Sequence, residues 1–263
     1  MPKMQENAPR VCENALKEAL GAAFDGVLVR VFDEIDSTNT EAKRMALDGF
    51  CGDALLVAHS QTAGRGRMGR SFYSPAQTGA YFSILHTLQT PLCDAVAITS
   101  AASVAVMRAI RMLAGIQTEI KWVNDLYYKE KKVCGILTEA ASVGEHTHVI
   151  VGIGINLDTA DFPAELTGIA GSLGAQINAN ALIAEIYRQI AFYLHNTESR
   201  EWLEDYRTHS MVLGRRVTWR DAAGTYEGTA TGIDADGALL IRNDADENIR
   251  LHTGEISLRP IKE

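Results

Sequence analysis

Residues 64–71 read Gly-Arg-Gly-Arg-Met-Gly-Arg-Ser, so three glycines alternate with three arginines. Glycines let backbone amides approach a ligand closely, and each arginine carries a permanent charge with several donors. The string describes an anion-binding loop, in a chain of 263 residues whose formal net charge is -8. It satisfies G-x-G-x-x-G at Gly64, Gly66 and Gly69, and satisfies the P-loop pattern except that Arg70 replaces lysine. Both patterns require a helix to open from the loop. A strand fits residues 54–58 before it, but residues 71–79 contain Pro75 and Gly79 as breakers and lead into a strand-like run at 80–85. No helix is expected there, which excludes dinucleotide and P-loop readings. A flexible, solvated basic loop is the bland alternative.

Four other segments offer chemistry. Lys121-Trp122-Val123-Asn124-Asp125 puts an amide and a carboxylate at a strand end, where open α/β sheets bind ligands, although Asn-Asp also simply makes turns. Among the three lysines of Lys129-Glu130-Lys131-Lys132, Lys132 has reason to point inward, because it starts the apolar run 133–137. Gly152 and Gly154 clear one face of a strand and Asn156 adds a polar group to it; tight sheet packing explains them equally well. Ser37-Thr38-Asn39 precede a helix, where capping is the common role.

The elements that must position these groups follow from periodicity. Residues 11–24 suit one short helix with Leu16, Leu20 and Phe24 on a stripe, and 27–32 a strand. Thr38 and Glu41 are spaced as a capping box for a helix ending before Gly49. Residues 94–114 suggest a buried helix closed by Gly115. Strands are expected at 126–128 and 133–139 around a lysine hairpin, and at 148–157, then a helix over 180–206. From about residue 213, four short strands at 217–219, 225–232, 238–242 and 248–252 suggest a small barrel.

Hydrophobic content of 46% and charged content of 22% are those of an ordinary globular protein. No apolar run approaches the ~18 residues of a membrane span, and the first ten residues lack a signal-peptide core. Cys12, Cys51, Cys93 and Cys134 are widely spaced without a Cys-x-x-Cys pair, which argues for reduced thiols in a cytoplasmic protein and against a zinc site. The acidic balance disfavours DNA binding.

Taken together, Ser37-Thr38-Asn39, Gln61, GRGRMGR, KWVNDLYY, KKVCGILTE, VGIGINL and Gly254-Glu255-Ile256-Ser257-Leu258-Arg259 resemble the bacterial biotin–protein ligases over about residues 30 to 260. The resemblance implies a mixed α/β (α+β) fold: a mixed β-sheet with helices, of the class II synthetase and biotin–lipoate ligase kind, plus a small C-terminal SH3-like β-barrel. The expected divisions are an N-terminal helical extension at 1–28, a catalytic domain at 29–210 and the barrel at 211–263. The resemblance further implies that biotin is activated with ATP to biotinyl-5'-AMP, releasing pyrophosphate. Biotin then passes to a lysine of the biotin carboxyl carrier protein of acetyl-CoA carboxylase or a related carboxylase.

By the same resemblance, Arg65, Arg67, Lys132 and Asp125 are the catalytic set, Asp125 as a base or a metal neighbour. Ser37, Thr38, Asn39, Gln61, Gly64, Arg65, Gly66, Arg67, Lys132 and Gly135 would hold biotin. Arg67, Lys121, Asn124, Gly152, Gly154, Asn156, Glu255 and Arg259 would hold ATP, with Mg²⁺ bridging its phosphates and no protein metal site. Bringing biotin's carboxylate to a phosphate sets two anions against each other, a repulsion of about 4 kcal/mol at ~4 Å and an effective dielectric of ~20, which the arginines offset.

Val123 and Phe72 stand where many relatives carry proline and tryptophan, and both keep apolar bulk. No N-terminal DNA-binding domain is expected, so the monofunctional type without DNA contact is implied, and a homodimer is compatible. Lipoate–protein ligase shares the fold and reaction type, and a biotin-binding sensor without catalysis is the reading from another class. The Ser37-Thr38-Asn39 cluster with Gln61 favours a polar ureido ring over lipoate.

Overall fold

The computed structural model describes residues 10–88, 95–220, 224–252, 254 and 256–258. Its elements run α1 (Glu13–Leu20), β1 (Leu28–Ile35), α2 (Thr38–Leu47), β2 (Asp53–Gln61), β3 (Gly79–Leu88), α3 (Ala95–Ala114), β4 (Glu119–Lys121), β5 (Asp125–Tyr128), β6 (Lys131–Val143), β7 (His146–Asn156), α4 (Ala179–His195) and α5 (Leu203–Thr208). Five short strands follow: β8 (Arg216–Arg220), β9 (Thr225–Ile233), β10 (Leu239–Asn243), β11 (Asn248–Leu251) and β12 (Ile256–Leu258).

The first seven strands form one mixed sheet in the order β1-β2-β3-β7-β6-β5-β4, in which only β1 and β2 run parallel. The expected mixed α/β fold is therefore present, as is the C-terminal β unit, an antiparallel sheet in the order β11-β10-β9-β8-β12. The lysine hairpin turns at Lys129 and Glu130, both at positive φ (49° and 63°), the geometry of a two-residue type I′ connection.

Strand parity divides the large sheet between two environments. Leu55 and Val57 of β2, Phe82 and Ile84 of β3, and Val151 and Ile153 of β7 face the main core with α1, α3 and α4. The opposite parity, Ala54, Leu56, Leu85 and Ile150, packs on Ala42, Met45 and Ala46 of α2. A single ten-residue helix cannot cover seven strands, so part of that second face is left for a cleft.

Four expectations change. The helix drawn over 11–24 ends at Leu20, because Gly21 leaves it at φ 80°, and residues 22–24 form a separate 3₁₀ turn. Its Leu16 and Leu20 belong to the core shared with the sheet. The helix drawn over 180–206 breaks between His195 and Leu203, where Arg200 donates to the carbonyls of Thr197 and Ala235, and Trp202 to Ser199. The capping box does not form: Ser37 is the N-cap without a side-chain bond, and Glu41 pairs with Arg44 instead. Finally, α3 is long and apolar enough to cross a membrane, at 20 residues and mean hydropathy 1.5. It is nonetheless a core helix, because its alanines and serines let α4 and the sheet approach it and 72% of its apolar window is buried.

The small sheet docks by backbone acceptors. Trp122 Nε1 donates to Gly237 O at 2.9 Å and Arg207 Nε to Ile233 O at 2.8 Å. Among the described cysteines, Cys134 is fully buried and burial pushes its thiol pKa up; Cys93 lies outside the described residues.

Candidate active site

A cleft opens on the α2 face of the sheet. It is walled by the start of α2, the arginine loop, the β4–β5 turn, β6, β7 and a part of the C-terminal sheet. At one end lies a network of polar groups, neutral except for Glu139, through which it joins Arg65 of the charged end. Gln61 Oε1 accepts from Thr38 N at 2.9 Å and Thr38 Oγ1 at 3.2 Å, while its Nε2 donates to Ser74 Oγ at 2.9 Å. Ser83 Oγ lies 2.7 Å from Thr38 Oγ1 and 2.6 Å from Asn39 Oδ1. Asn39 Nδ2 donates to Glu139 Oε2 at 3.0 Å and to Leu137 O at 3.3 Å. Thr38, Asn39 and Ser83 are all buried, so the network fixes their rotamers in a surround where unpaired polar atoms are costly, and Ser37 is buried beside them.

The failed capping box now has a physical reason. Thr38 and Asn39 are inside the first turn of α2, and their side chains serve the cleft rather than the helix end.

At the other end are the charges. Arg67 Nη1 donates to Asn124 Oδ1 at 3.2 Å, and Asn124 Nδ2 donates to Ile136 O at 2.8 Å. Lys132 Nζ lies 2.7 Å from Asp125 Oδ1, and Arg65 Nη1 lies 2.9 Å from Glu139 Oε2. Asp125 and Lys132 meet because β5 pairs with β6: Asp125 lies opposite Gly135, and a register shift carries Tyr127 opposite Lys132. Lys121 also lines the cleft, with its ammonium 5.7 Å from the centre of the Tyr127 ring.

The loop itself contains no helix beyond a 3₁₀ turn at Arg67–Gly69, as expected. It is a tight excursion closed by Phe72 N to Gly64 O (2.8 Å) and Gly66 N to Arg70 O (2.7 Å). A Cβ on Gly64 would come 2.4 Å from Phe72 O, so this glycine is required for packing rather than for an approach to ligand. Gly69 is required by its φ of 75°. Arg65 and Arg70 are exposed and Arg67 is half-buried.

Gly152 and Gly154 share the cleft face, and each gives its space to a neighbour. A Cβ on Gly152 would lie 1.8 Å from Asn39 Oδ1, and one on Gly154 would lie 2.3 Å from the Phe72 ring. Phe72 also sits 3.2 Å from where a Gly135 Cβ would be, and meets Tyr81 edge to face. The two glycines thus admit the polar cluster and an aromatic wall.

Of the residues singled out in the sequence, Ser37, Thr38, Asn39, Gln61, Arg65, Gly66, Arg67, Lys121, Asn124, Asp125, Lys132, Gly135, Gly152 and Gly154 come together around this cleft. Gly64 and Asn156 do not line it. Asn156 is buried beyond Gly154, and its Nδ2 holds Gly171 O at 3.0 Å. Glu255 and Arg259 lie outside the described residues; Gly254 and Ile256 reach the cleft wall. Sequence reasoning missed Ser83 and Glu139. Ser83 is a lone polar residue between apolar neighbours and Glu139 follows Thr138 in β6, and their shared parity with Gly152 becomes visible only once β3, β7 and β6 are paired.

Comparison with known proteins bears on this arrangement. A family model described as Biotin/lipoate A/B protein ligase family matches residues 31–156, and one described as Biotin protein ligase C terminal domain matches 212–259. The bifunctional ligase/repressor BirA of Bacillus spizizenii is 36% identical over 262 residues, covering 95% of this chain and 79% of that protein. The biotin–[acetyl-CoA-carboxylase] ligase of Paracoccus denitrificans is 30% identical over 231 residues, covering 81% of this chain and 94% of that protein. The solved structure of the biotin protein ligase from Aquifex aeolicus in complex with biotin and ATP matches with a TM-score of 0.75 at 28% identity, covering 88% of this chain and 98% of that one.

Proposed function

The chain belongs to the biotin/lipoate A/B protein ligase family, and we infer that it is an ATP-dependent ligase that biotinylates carboxylase carrier proteins. One observation carries the assignment to this cleft: a buried neutral hydrogen-bonding cluster faces a cationic end across one glycine-lined floor. The cluster suits a ureido ring, which both donates and accepts. The cationic end suits a carboxylate and a phosphate.

In this reading Thr38, Asn39 and Gln61 bind the ureido ring, and Ser83 holds the first two in register. Ser37, buried at the N-cap, closes that wall. The biotin carboxylate lies toward Lys132 and the arginine loop. Its oxygen attacks the α-phosphorus of ATP, the P–O bond to the leaving pyrophosphate breaks, and biotinyl-5'-AMP forms. Arg67 and Lys132 offset charge that both anions bring and that grows on the phosphorus in the transition state. Arg67 is held at Asn124, so little reorganisation is needed when the anions arrive. Arg65 and Gly66 fold over the mixed anhydride and keep water from it. Lys121 and Asn124 flank the nucleotide side; Gly152 and Gly154, expected there, instead give their space to Asn39 of the ureido wall and to the Phe72 ring.

In the second step an amine of the carrier lysine attacks the acyl carbon, the C–O bond to AMP breaks, and the amine loses a proton. Asp125, at the same end of the cleft, accepts that proton. Mg²⁺ arrives with the nucleotide as part of the substrate. The phosphates would hold the ion, with Asp125, whose buried Oδ1 lies 2.7 Å from Lys132 Nζ but has no hydrogen-bond partner, as its protein neighbour. The carrier is the biotin carboxyl carrier protein of acetyl-CoA carboxylase or a related carboxylase; the enzyme works in the cytoplasm, and a homodimer is compatible with these roles.

The test of this residue assignment is Arg67→Ala with biotin binding and adenylate formation measured separately. Retained biotin binding with unchanged adenylate formation would remove the loop from the catalytic machinery.

A further inference from the structure

A second cluster of chemistry-bearing side chains lies on the other face of the large sheet, and none of its residues lines the cleft. Asp53 opens β2, and the β2–β3 register sets it directly opposite His86, so the two side chains share a face. His195 ends α4 over the same spot. The two carboxylate oxygens of Asp53 are divided between the imidazoles: Oδ1 lies 2.5 Å from His86 Nδ1 and Oδ2 lies 3.8 Å from His195 Nε2. One potential ligand atom from each residue falls within 4.8 Å of the others.

A hydrogen-bonded Asp–His pair alone is ordinary packing. Here the second imidazole is also oriented from behind, because His195 Nδ1 lies 2.8 Å from Ala191 O. A proton on Nδ1 donated to that carbonyl leaves the Nε2 lone pair free toward Asp53, the outer-shell arrangement that metal-bound histidines use. The two rings lie 4.7 Å apart by their centres. All three side chains wall a solvent-open depression, in which the charge of Arg188 is neutralised by Glu185.

We propose that Asp53, His86 and His195 form a binding site for a zinc-type divalent ion. Two imidazoles and one carboxylate suit Zn²⁺ or Co²⁺, whereas Mg²⁺ prefers an all-oxygen octahedron. Tetrahedral ligand atoms at Zn²⁺ distances lie about 3.4 Å apart. The exposed His195 side chain closes its 3.8 Å gap to Asp53 by a small rotation, and the 2.5 Å hydrogen bond between Asp53 and His86 opens as the ion takes the place of its proton. With three protein ligands, the ion keeps an outer position open to water. Binding ties the C-terminal end of α4 to the start of β2 and the end of β3.

The experiment titrates ZnCl₂, and MgCl₂ as a control, into the full-length chain by calorimetry, and CoCl₂ by absorbance. The expected result is one Zn²⁺ per chain with a raised Tm, no such effect from Mg²⁺, and visible Co²⁺ bands without a thiolate charge-transfer band. His195→Ala and His86→Gln each weaken Zn²⁺ binding by about a hundredfold or more, since losing merely a supporting partner of a ligand costs about 10–100-fold. His195→Ala, at an exposed helix end, keeps adenylation activity, which shows that the variant is folded. Absence of Zn²⁺ binding, binding unchanged in both variants, or a thiolate band would each overturn the proposal.

Discussion

Replacing Gly152 by alanine adds a single methyl group on a buried strand, yet the structure makes it a severe change. The new Cβ would stand 1.8 Å from Asn39 Oδ1, 2.6 Å from its Cγ and 2.9 Å from its Nδ2. Gly152 is bonded on both sides within the sheet, opposite Ser83 of β3 and Leu137 of β6, so the strand cannot retreat. Asn39 must move, and it then loses its bonds to Ser83, Leu137 O and Glu139. Neutral bonds contribute about 0.5–1.5 kcal/mol each and one to a charged group about 1.5–3, and some partners will reach water again. Together with overpacking, a loss of about 2–4 kcal/mol of stability is expected. Biotin affinity should fall by about 10–100-fold, because two polar groups of the ureido wall are displaced. The decisive assay is a double-mutant cycle by urea unfolding and biotin calorimetry. In an Asn39→Ala background the methyl has room, and the added cost of Gly152→Ala should fall below about 1 kcal/mol. Additive costs in the two backgrounds would refute the claim that Gly152 exists to admit Asn39.

Arg67→Ala should lower adenylate formation by about 10²–10³-fold, the range for removing one preorganised donor to developing charge, while biotin affinity changes far less; single-turnover kinetics with separately measured biotin binding resolves the two. Gly64→Ala should destabilise the loop by about 1–3 kcal/mol, since its Cβ meets the Phe72 carbonyl at 2.4 Å, whereas Gly66→Ala, with 3.4 Å to Arg70 O, should leave unfolding unchanged. His148 is buried beside Thr87, and desolvation followed by repulsion from His146 lowers its pKa below 6.5. The unfolded chain therefore takes up the proton first, so stability present above about pH 6.5 is lost as pH falls toward the folded value. His148→Asn should flatten that dependence in urea titrations between about pH 7 and pH 5.

How much of the site could be read in advance depended on the kind of signal each residue carries. The arginine loop stands out because alternating glycine and arginine has no role in a packed core, and the Lys-Trp-x-Asn-Asp segment because a strand ends there in polar chemistry. The absence of a helix after the loop was legible from Pro75 and Gly79, and the structure has β3 there. Ser83 and Glu139 were not legible, since a polar residue in a strand signals nothing until pairing reveals what it faces. Gly152 and Gly154 were recognised as a cleared face, but what fills the clearing, an asparagine and a phenylalanine from distant segments, is a tertiary fact. Thr38 and Glu41 misled for a related reason. Local spacing fitted a cap, while longer-range bonds to Gln61 and Ser83 claimed the threonine. The helix ends at Leu20 and His195 were missed because Gly21 and the polar run after residue 195 were outweighed by apolar periodicity.

The central claim is that this cleft joins biotin to AMP and passes it to a carrier lysine. The direct measurement incubates the purified chain with Mg²⁺-ATP and either biotin or lipoate, with and without a biotin carboxyl carrier domain, and reads products by mass spectrometry. Biotinyl-5'-AMP without carrier, a biotin-sized mass gain on one carrier lysine with it, and little or no lipoyl product are expected. No adenylate, or lipoate used in preference to biotin, would contradict the account.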